Sequence, residues 1–236
     1  MSFLQHSLNL LLPNQCLGCH KFLDSNIPLC SACAKILSPN FSFYCPTCHK
    51  RLPYNLLTCP THNNSSLKAI ACLFDWQNTL VQDLILNFKY HNLVPLKNIF
   101  QLYLTEFFTY QLKPFQNKKY LLIPIPLSSQ KLRQRGFNQA EIIIPNQGIF
   151  GLPVIKNNLI RIANNPPQAL TLSSEERLHN MIGAFAVKNS NEILNKNIIL
   201  IDDVYTTGAT LNEAAKVLKR GGAKNIIGVT LAGQIY

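Results

Sequence analysis

The sequence predicts an α/β fold, a parallel sheet with flanking helices, preceded by a small Cys-rich domain. Three observations carry this. Ile198 to Ile201 are apolar and mostly β-branched, as in a strand buried on both faces, and a helical pattern of Ala214, Ala215, Val217 and Leu218 follows a short polar loop. Tyr120-Leu-Leu-Ile-Pro-Ile-Pro-Leu127 reads as a second strand that stops at its prolines, with two amphipathic helices before it. Seven of the eight Cys are confined to residues 16–59.

Composition agrees. With 236 residues, 47 % of them apolar and 14 % charged, the chain can bury the core of one medium and one small domain, and it is not disordered by composition. The formal charge of +11 favours polyanionic partners such as nucleic acid, phosphorylated metabolites or an anionic surface, without choosing among them.

The chain begins with an apolar run, Met1 to Leu12, in which Phe3, Leu4, Leu8, Leu11 and Leu12 fit a short amphipathic helix packed on the protein. It lacks a basic flank and is too short to span a bilayer, and no later run reaches the roughly 18 apolar residues a spanning helix needs. The expectation is a cytoplasmic protein with no membrane insertion.

The cysteines come in knuckles, Cys16-x-x-Cys19, Cys30-x-x-Cys33, Cys45-x-x-Cys48 and Cys59-x-x-His62, at starting intervals of 14, 15 and 14 residues. Thiolates two residues apart bend the backbone around one ion, and two knuckles complete a tetrahedral Zn²⁺ shell. Eight candidate ligands suggest two structural zinc ions, though one is also open. A structural zinc contributes about 10–16 kcal/mol of apparent binding energy to a small loop-rich segment. Consecutive pairing (16, 19, 30, 33 and 45, 48, 59, 62) follows the repeat, while a cross-braced pairing obeys the same spacing. A disulfide framework would need an oxidising compartment that nothing in the sequence supports. His20 and His49 follow knuckle cysteines and read as surface residues. Cys72, in an alternating run, reads as a core thiol.

The polar stretch Asn63-Asn-Ser-Ser66 is the expected hinge, with an N-terminal helix and Cys-rich zinc-binding domain over 1–66 and the α/β domain over 67–236. Leu80, Val81, Leu84, Ile85 and Phe88 mark one helix, and residues 99–112 another. Beyond the Tyr120 strand lies the most basic short segment, Lys131, Arg133 and Arg135, followed by Gly136-Phe-Asn-Gln139. Arginine forks bind phosphate oxygens bidentately, so the segment is a candidate anion site, and a solvated basic face is the plain alternative. Residues 161–185, with their Pro pair and weak periodicity, read as a surface excursion in which Arg177 is a candidate ligand contact.

The run Asp202-Asp-Val-Tyr-Thr-Thr-Gly-Ala-Thr210 then places two carboxylates and a hydroxyl-rich loop at the end of the apolar strand. Ligands of open parallel sheets bind beyond such strand ends, where the next helix opens with unpaired N–H groups. Thr206, Thr207, Gly208, Ala209 and Thr210 make a pocket for one phosphate, and Asp202 and Asp203 suit sugar hydroxyls or a Mg²⁺-bound water. No Lys follows Gly208, which excludes the Walker A pattern and disfavours a nucleoside triphosphate.

This segment resembles the 5-phosphoribosyl 1-pyrophosphate (PRPP) motif of type I phosphoribosyltransferases. The resemblance implies that Asp202 and Asp203 hold the ribose hydroxyls and Mg²⁺, that Thr206–Thr210 hold the 5′-phosphate, and that Pro124–Leu127 sit where the pyrophosphate loop begins, beside Lys131, Arg133 and Arg135. Thr206 stands where 6-oxopurine transferases carry the Asp that serves as base, so ordinary purine salvage is disfavoured.

Taken with the knuckles, Phe88-Lys-Tyr90, Arg133 through Gln139, Gln168 through Arg177-x-x-Asn180, and Asp202 through Thr210, the chain resembles the ComF family over nearly its whole length. His62 in place of a final Cys is a departure that imidazole tolerates as a zinc ligand. The resemblance makes residues 67–236 a phosphoribosyltransferase-like domain. It implies a cytosolic protein of natural transformation that handles incoming single-stranded DNA, with PRPP or a related ribose phosphate in its pocket and the DNA-translocating helicase and recombination proteins among its partners. Aromatic neighbours such as Phe137 are expected beside the DNA-binding cations. The alternative is an active Mg²⁺-dependent phosphoribosyltransferase acting on an unknown acceptor, with no obvious general base. A regulator whose pocket senses PRPP without chemistry is a third reading.

Overall fold

The computed structural model describes residues 14–53, 56–91, 93–111, 120–146, 148–149, 151–162 and 182–234. The expected helix over Met1–Leu12 lies outside them.

The α/β expectation holds. Strands β3 (Leu67–Asp75), β4 (Tyr120–Pro124), β7 (Asn197–Tyr205) and β8 (Asn225–Gly233) form one sheet in the order β3-β8-β7-β4, every neighbouring pair parallel. Both faces are covered, which is why these strands read as near-continuous apolar runs. Alternate residues serve opposite faces. Ala69, Ala71, Leu73, Ile199, Ile201, Ile227 and Val229 pack with α2 (Thr79–Tyr90) and α3 (Leu96–Gln111). Ile70, Cys72, Ile198, Leu200 and Ile226 pack with Leu211, Ala214, Ala215 and Leu218 of α6 (Ala209–Arg220). Asn78 caps α2, its Oδ1 accepting from Leu80 N and Val81 N at 3.0 and 3.3 Å.

The Cys-rich segment holds a two-stranded ribbon, β1 (Asn14–Gln15) with β2 (Phe22–Leu23), and a short helix, α1 (Ser31–Ile36). It is tied to the sheet. Tyr44 and Ile70 exchange both backbone hydrogen bonds, at 2.8 and 2.9 Å, and Asn40 N donates to the Leu73 carbonyl, so this segment covers the outer edge of β3. Leu122, on the opposite edge, pairs with the chain at Pro153 and Ile155.

Between β4 and β7 the chain forms α4 (Ser129–Arg135), α5 (Gln139–Ile142) and an antiparallel ribbon of β5 (Leu159–Arg161) with β6 (Phe185–Val187). The ribbon zips together the two ends of the polar excursion. Among the described residues no helix is long and apolar enough to cross a membrane.

Candidate zinc centres and candidate ribose-phosphate site

The eight knuckle residues converge into two clusters, Cys16, Cys19, Cys30 and Cys33, and Cys45, Cys48, Cys59 and His62, with the ligand atoms of each within 4.8 Å of one another. This is the consecutive pairing, and cross-bracing is excluded. Bonds of about 2.3 Å directed to the corners of a tetrahedron put sulfurs about 3.8 Å apart. Cys19 Sγ and Cys30 Sγ are 3.8 Å apart, Cys48 Sγ and Cys59 Sγ 3.9 Å, and His62 Nδ1 lies 3.6 Å from Cys45 Sγ and 3.5 Å from Cys59 Sγ. The donor sets therefore fit two zinc ions, with all four positions of each taken by protein.

The knuckle backbone is shaped for thiolates. Gly18 N and Cys30 N donate to Cys16 Sγ at 3.4 and 3.3 Å, and Thr47 N donates to Cys45 Sγ at 3.4 Å. His20 and His49, with φ of 58° and 57°, occupy the left-handed position that closes each turn, their amides bonding back to Cys16 O and Cys45 O. Their role is in the turn, outside both ligand sets.

The second site lies at the carboxyl ends of β4 and β7, as open parallel sheets require. The acid pair falls inside β7, which continues two residues past Asp203 to Tyr205, with Asp202 opposite Thr230 of β8. Strand alternation sends the two carboxylates to opposite faces. Asp203 goes toward α2, where Lys89 Nζ meets its Oδ1 at 2.9 Å with both side chains largely shielded from solvent. Asp202 goes toward β5, where Arg161 acts on it. Desolvation, then repulsion from Asp203, pushes the Asp202 carboxyl up to about 7, against the Asp203 amide that it accepts from and the Lys89 and Arg161 charges.

The loop after β7 turns at Gly208, whose φ of 73° is the left-handed region. A Cβ there would stand 2.6 Å from the Tyr205 hydroxyl, so glycine is required by space as well as by φ. Gly208 precedes α6, and the first intrahelical bond runs from Asn212 N to the Gly208 carbonyl. The amides ahead of it face the loop, where an anion belongs. Thr207 Oγ1 accepts from Ala209 N at 3.4 Å, Thr206 is exposed, and Thr210 is half-buried in the first turn.

The basic segment is α4, and helical spacing sorts its cations. Lys131 and Arg135, four residues apart, share one face. Burial, with Arg161, Arg135 and Lys89 nearby, pushes Lys131 down, and only Asp203 opposes this. Arg133, between them in sequence, is exposed to solvent on another part of the helix. Arg177 lies outside the described residues.

The residues after α4 make contacts within the protein. Gly136, at φ 76°, ends the helix in the left-handed conformation. Phe137 is half-buried and packs on Phe88 with ring centroids 5.6 Å apart, against the core. Asn138 caps α5, accepting from Ala140 N at 3.1 Å, and its amide donates to the Ile125 carbonyl beyond β4 at 3.0 Å. Gln139 is buried and accepts from Arg135 Nη1 at 2.9 Å.

Sequence reasoning missed Lys89, Arg161, Gln139 and Tyr90 as parts of the site. Phe88-Lys-Tyr90 was a visible pattern, but only folding sets Lys89 against Asp203. Arg161, with its guanidinium carbon 5.6 Å from the centre of the Phe185 ring, comes from a three-residue strand that carries no periodicity of its own.

Comparison with known proteins follows the same division. Residues 153–235 match the family model of the phosphoribosyl transferase domain, and residues 7–62 that of the double zinc ribbon domain. The competence protein ComFC of Streptococcus pneumoniae is 29 % identical over 199 residues, 84 % of each chain. That of Bacillus subtilis is 36 % identical over 155 residues, 65 % of this chain and 60 % of its own. Competence protein F of Haemophilus influenzae is 29 % identical over 215 residues, 89 % of this chain and 86 % of its own. A zinc-ribbon segment built onto the edge of a phosphoribosyltransferase-like sheet, in a chain similar to competence proteins along most of its length, places this protein in the ComF family.

Proposed function

We propose that this is a ComF-type competence protein that binds PRPP or a related ribose phosphate beside the Asp202/Asp203 pair and handles incoming single-stranded DNA in the cytoplasm during natural transformation. The observation that carries the reading is the convergence of Lys89, Lys131, Arg135 and Arg161 on the end of β7, next to the Gly208 turn at the start of α6. Four cations around two carboxylates, one of them pushed toward neutrality, make a net positive site for a phosphorylated ligand. Asp202 and Asp203 are the groups for ribose hydroxyls and for Mg²⁺ carried in with PRPP. Thr206 to Thr210 take the 5′-phosphate, Lys131 and Arg135 the pyrophosphate or DNA phosphates, with Arg133 a further cation on α4 for DNA phosphates and Arg177 a candidate contact from its sequence alone. The relatives named competence proteins support the cellular role, and the helicase and recombination proteins of DNA uptake are its expected partners.

Phosphoribosyl transfer to an unknown acceptor is the second reading. A hydroxyl stands at Thr206, where 6-oxopurine transferases carry a carboxylate base, and this disfavours purine as the acceptor.

Calorimetric titration of the zinc-loaded protein with PRPP and Mg²⁺, beside an Asp202→Asn/Asp203→Asn variant, tests the pocket. Heat of binding that disappears in the variant is expected, and equal binding by both proteins refutes the assignment. Affinity for oligo(dT) measured at two salt concentrations tests DNA handling. Phosphate contacts release counterions, so salt-insensitive affinity refutes it. Consumption of PRPP above the variant's rate would establish the second reading.

A further inference from the structure

Tyr90 is the last residue of α2 and is 63 % exposed, an unusual setting for a large ring beside a basic site. It is nonetheless held. The Arg135 guanidinium carbon lies 5.0 Å from the ring centre, and Arg135 Nη2 donates to the Tyr90 hydroxyl at 3.3 Å. Arg135 is itself fixed from behind, because its Nη1 donates at 2.9 Å to Gln139, which is 1 % exposed. One face of the ring is thus backed by an anchored cation, and the residue's exposure leaves the rest of the ring to solvent.

The surroundings supply what a bare aromatic lacks. The residue before Tyr90 is Lys89, which pairs with Asp203, and one turn from Arg135 along α4 is Lys131. A planar, immobilised aromatic surface flanked by cations is the arrangement on which single-stranded nucleic acid is held. Bases stack on the ring irrespective of sequence, and phosphates pass the cations.

We infer that Tyr90, clamped by Arg135 and Gln139, is a stacking platform for a nucleobase of single-stranded DNA whose backbone runs past Lys131. This rests on the single-stranded DNA reading and assigns it a base-contacting residue. Phe137, half-buried and packed on Phe88, offers less of its ring than Tyr90 does.

The test uses the zinc-loaded full chain with Tyr90→Leu and Tyr90→Phe. Two 20-nucleotide probes are compared by fluorescence anisotropy, oligo(dT) and a fully abasic strand with the same phosphates. Tyr90→Leu is expected to weaken oligo(dT) binding about tenfold, to leave the abasic strand and the salt dependence unchanged, and Tyr90→Phe to behave like the unmodified protein. A strand containing 2-aminopurine should lose fluorescence on binding to the unmodified protein and to Tyr90→Phe, and not to Tyr90→Leu. Equal losses on both probes, or no loss on either, overturn the platform while leaving DNA binding intact. Failure of the unmodified protein to bind oligo(dT) overturns the DNA reading and the platform with it.

Discussion

Asp202→Asn should make the protein more stable at neutral and alkaline pH. The Asp202 carboxyl is raised from 3.8 to about 7 by desolvation and by Asp203. Below pH 4 both folded and unfolded chains carry its proton, and no difference arises. Between pH 4 and 7 the folded protein keeps a proton the unfolded chain has released, so stability falls as pH rises, and above 7 the full cost is present. At ~1.4 kcal/mol per pH unit the ceiling is about 4 kcal/mol. Asp202 retains some solvent contact, which reduces the expected gain at pH 8 to about 2 kcal/mol. The Asn side chain keeps an oxygen to accept from Asp203 N, so the native hydrogen bond survives. Urea unfolding of both proteins from pH 5.5 to 8.5 gives the difference curve, in which the zinc ligands cancel because they titrate alike in both. A gain that grows with pH and levels off above 7 is expected. A flat curve, or a variant less stable at pH 8, refutes the reasoning. A carboxylate kept where an amide would be more stable is what a ligand site requires.

Gly208→Ala must hold a left-handed φ and push a methyl against Tyr205, which should cost at least about 1–2 kcal/mol. Ribose 5-phosphate binding followed by calorimetry should be lost with it, and an alanine variant with unchanged melting and binding would show that the turn is not needed. Lys89→Met leaves Asp203 without its counterion in a shielded place, for about 2 kcal/mol of destabilisation. Most of this should return in Lys89→Met/Asp203→Asn, and a double-mutant cycle that sums additively refutes the pairing. Metal release by acid into a chromogenic chelator should yield two equivalents of zinc per chain, falling to one in Cys59→Ser/His62→Ala.

What could be read from the residues was what repeats or what a short motif holds together. The knuckle spacing announced eight zinc ligands, and the Ile198–Ile201 run announced the central strand. Strand β8 escaped, because Gly228 and Gly233 look like breakers in a run that carries no motif. Folded, each glycine makes room for a neighbour. A Cβ at Gly228 would meet the Ile70 and Leu211 side chains at 2.8 and 2.9 Å, and one at Gly233 would meet Cys72. The packing of Phe137 was hidden for a related reason, since an aromatic between Gly136 and Asn138 gives no sign of Phe88 against it. Arg161 and Lys89 were out of reach because their neighbours on β7 are distant in sequence and local periodicity carries no trace of such pairings.

The zinc segment and the candidate ribose-phosphate site are linked through a side chain. Tyr205 ends β7 and is buried; its ring lies against Gly208, and its hydroxyl reaches the carbonyl of Pro46 at 3.5 Å. Pro46 sits between Cys45 and Cys48, two ligands of the second cluster. The Gly208 turn is therefore seated on a ring whose far end is positioned by the second cysteine knuckle. The Tyr44–Ile70 pairing holds that knuckle's strand to the edge of the same sheet. Two links of this kind, one through a strand edge and one through a side chain, make the zinc ribbon part of the frame of the site, and an ion bound by four protein ligands is well suited to that work because it fixes the knuckle without relying on a large apolar core.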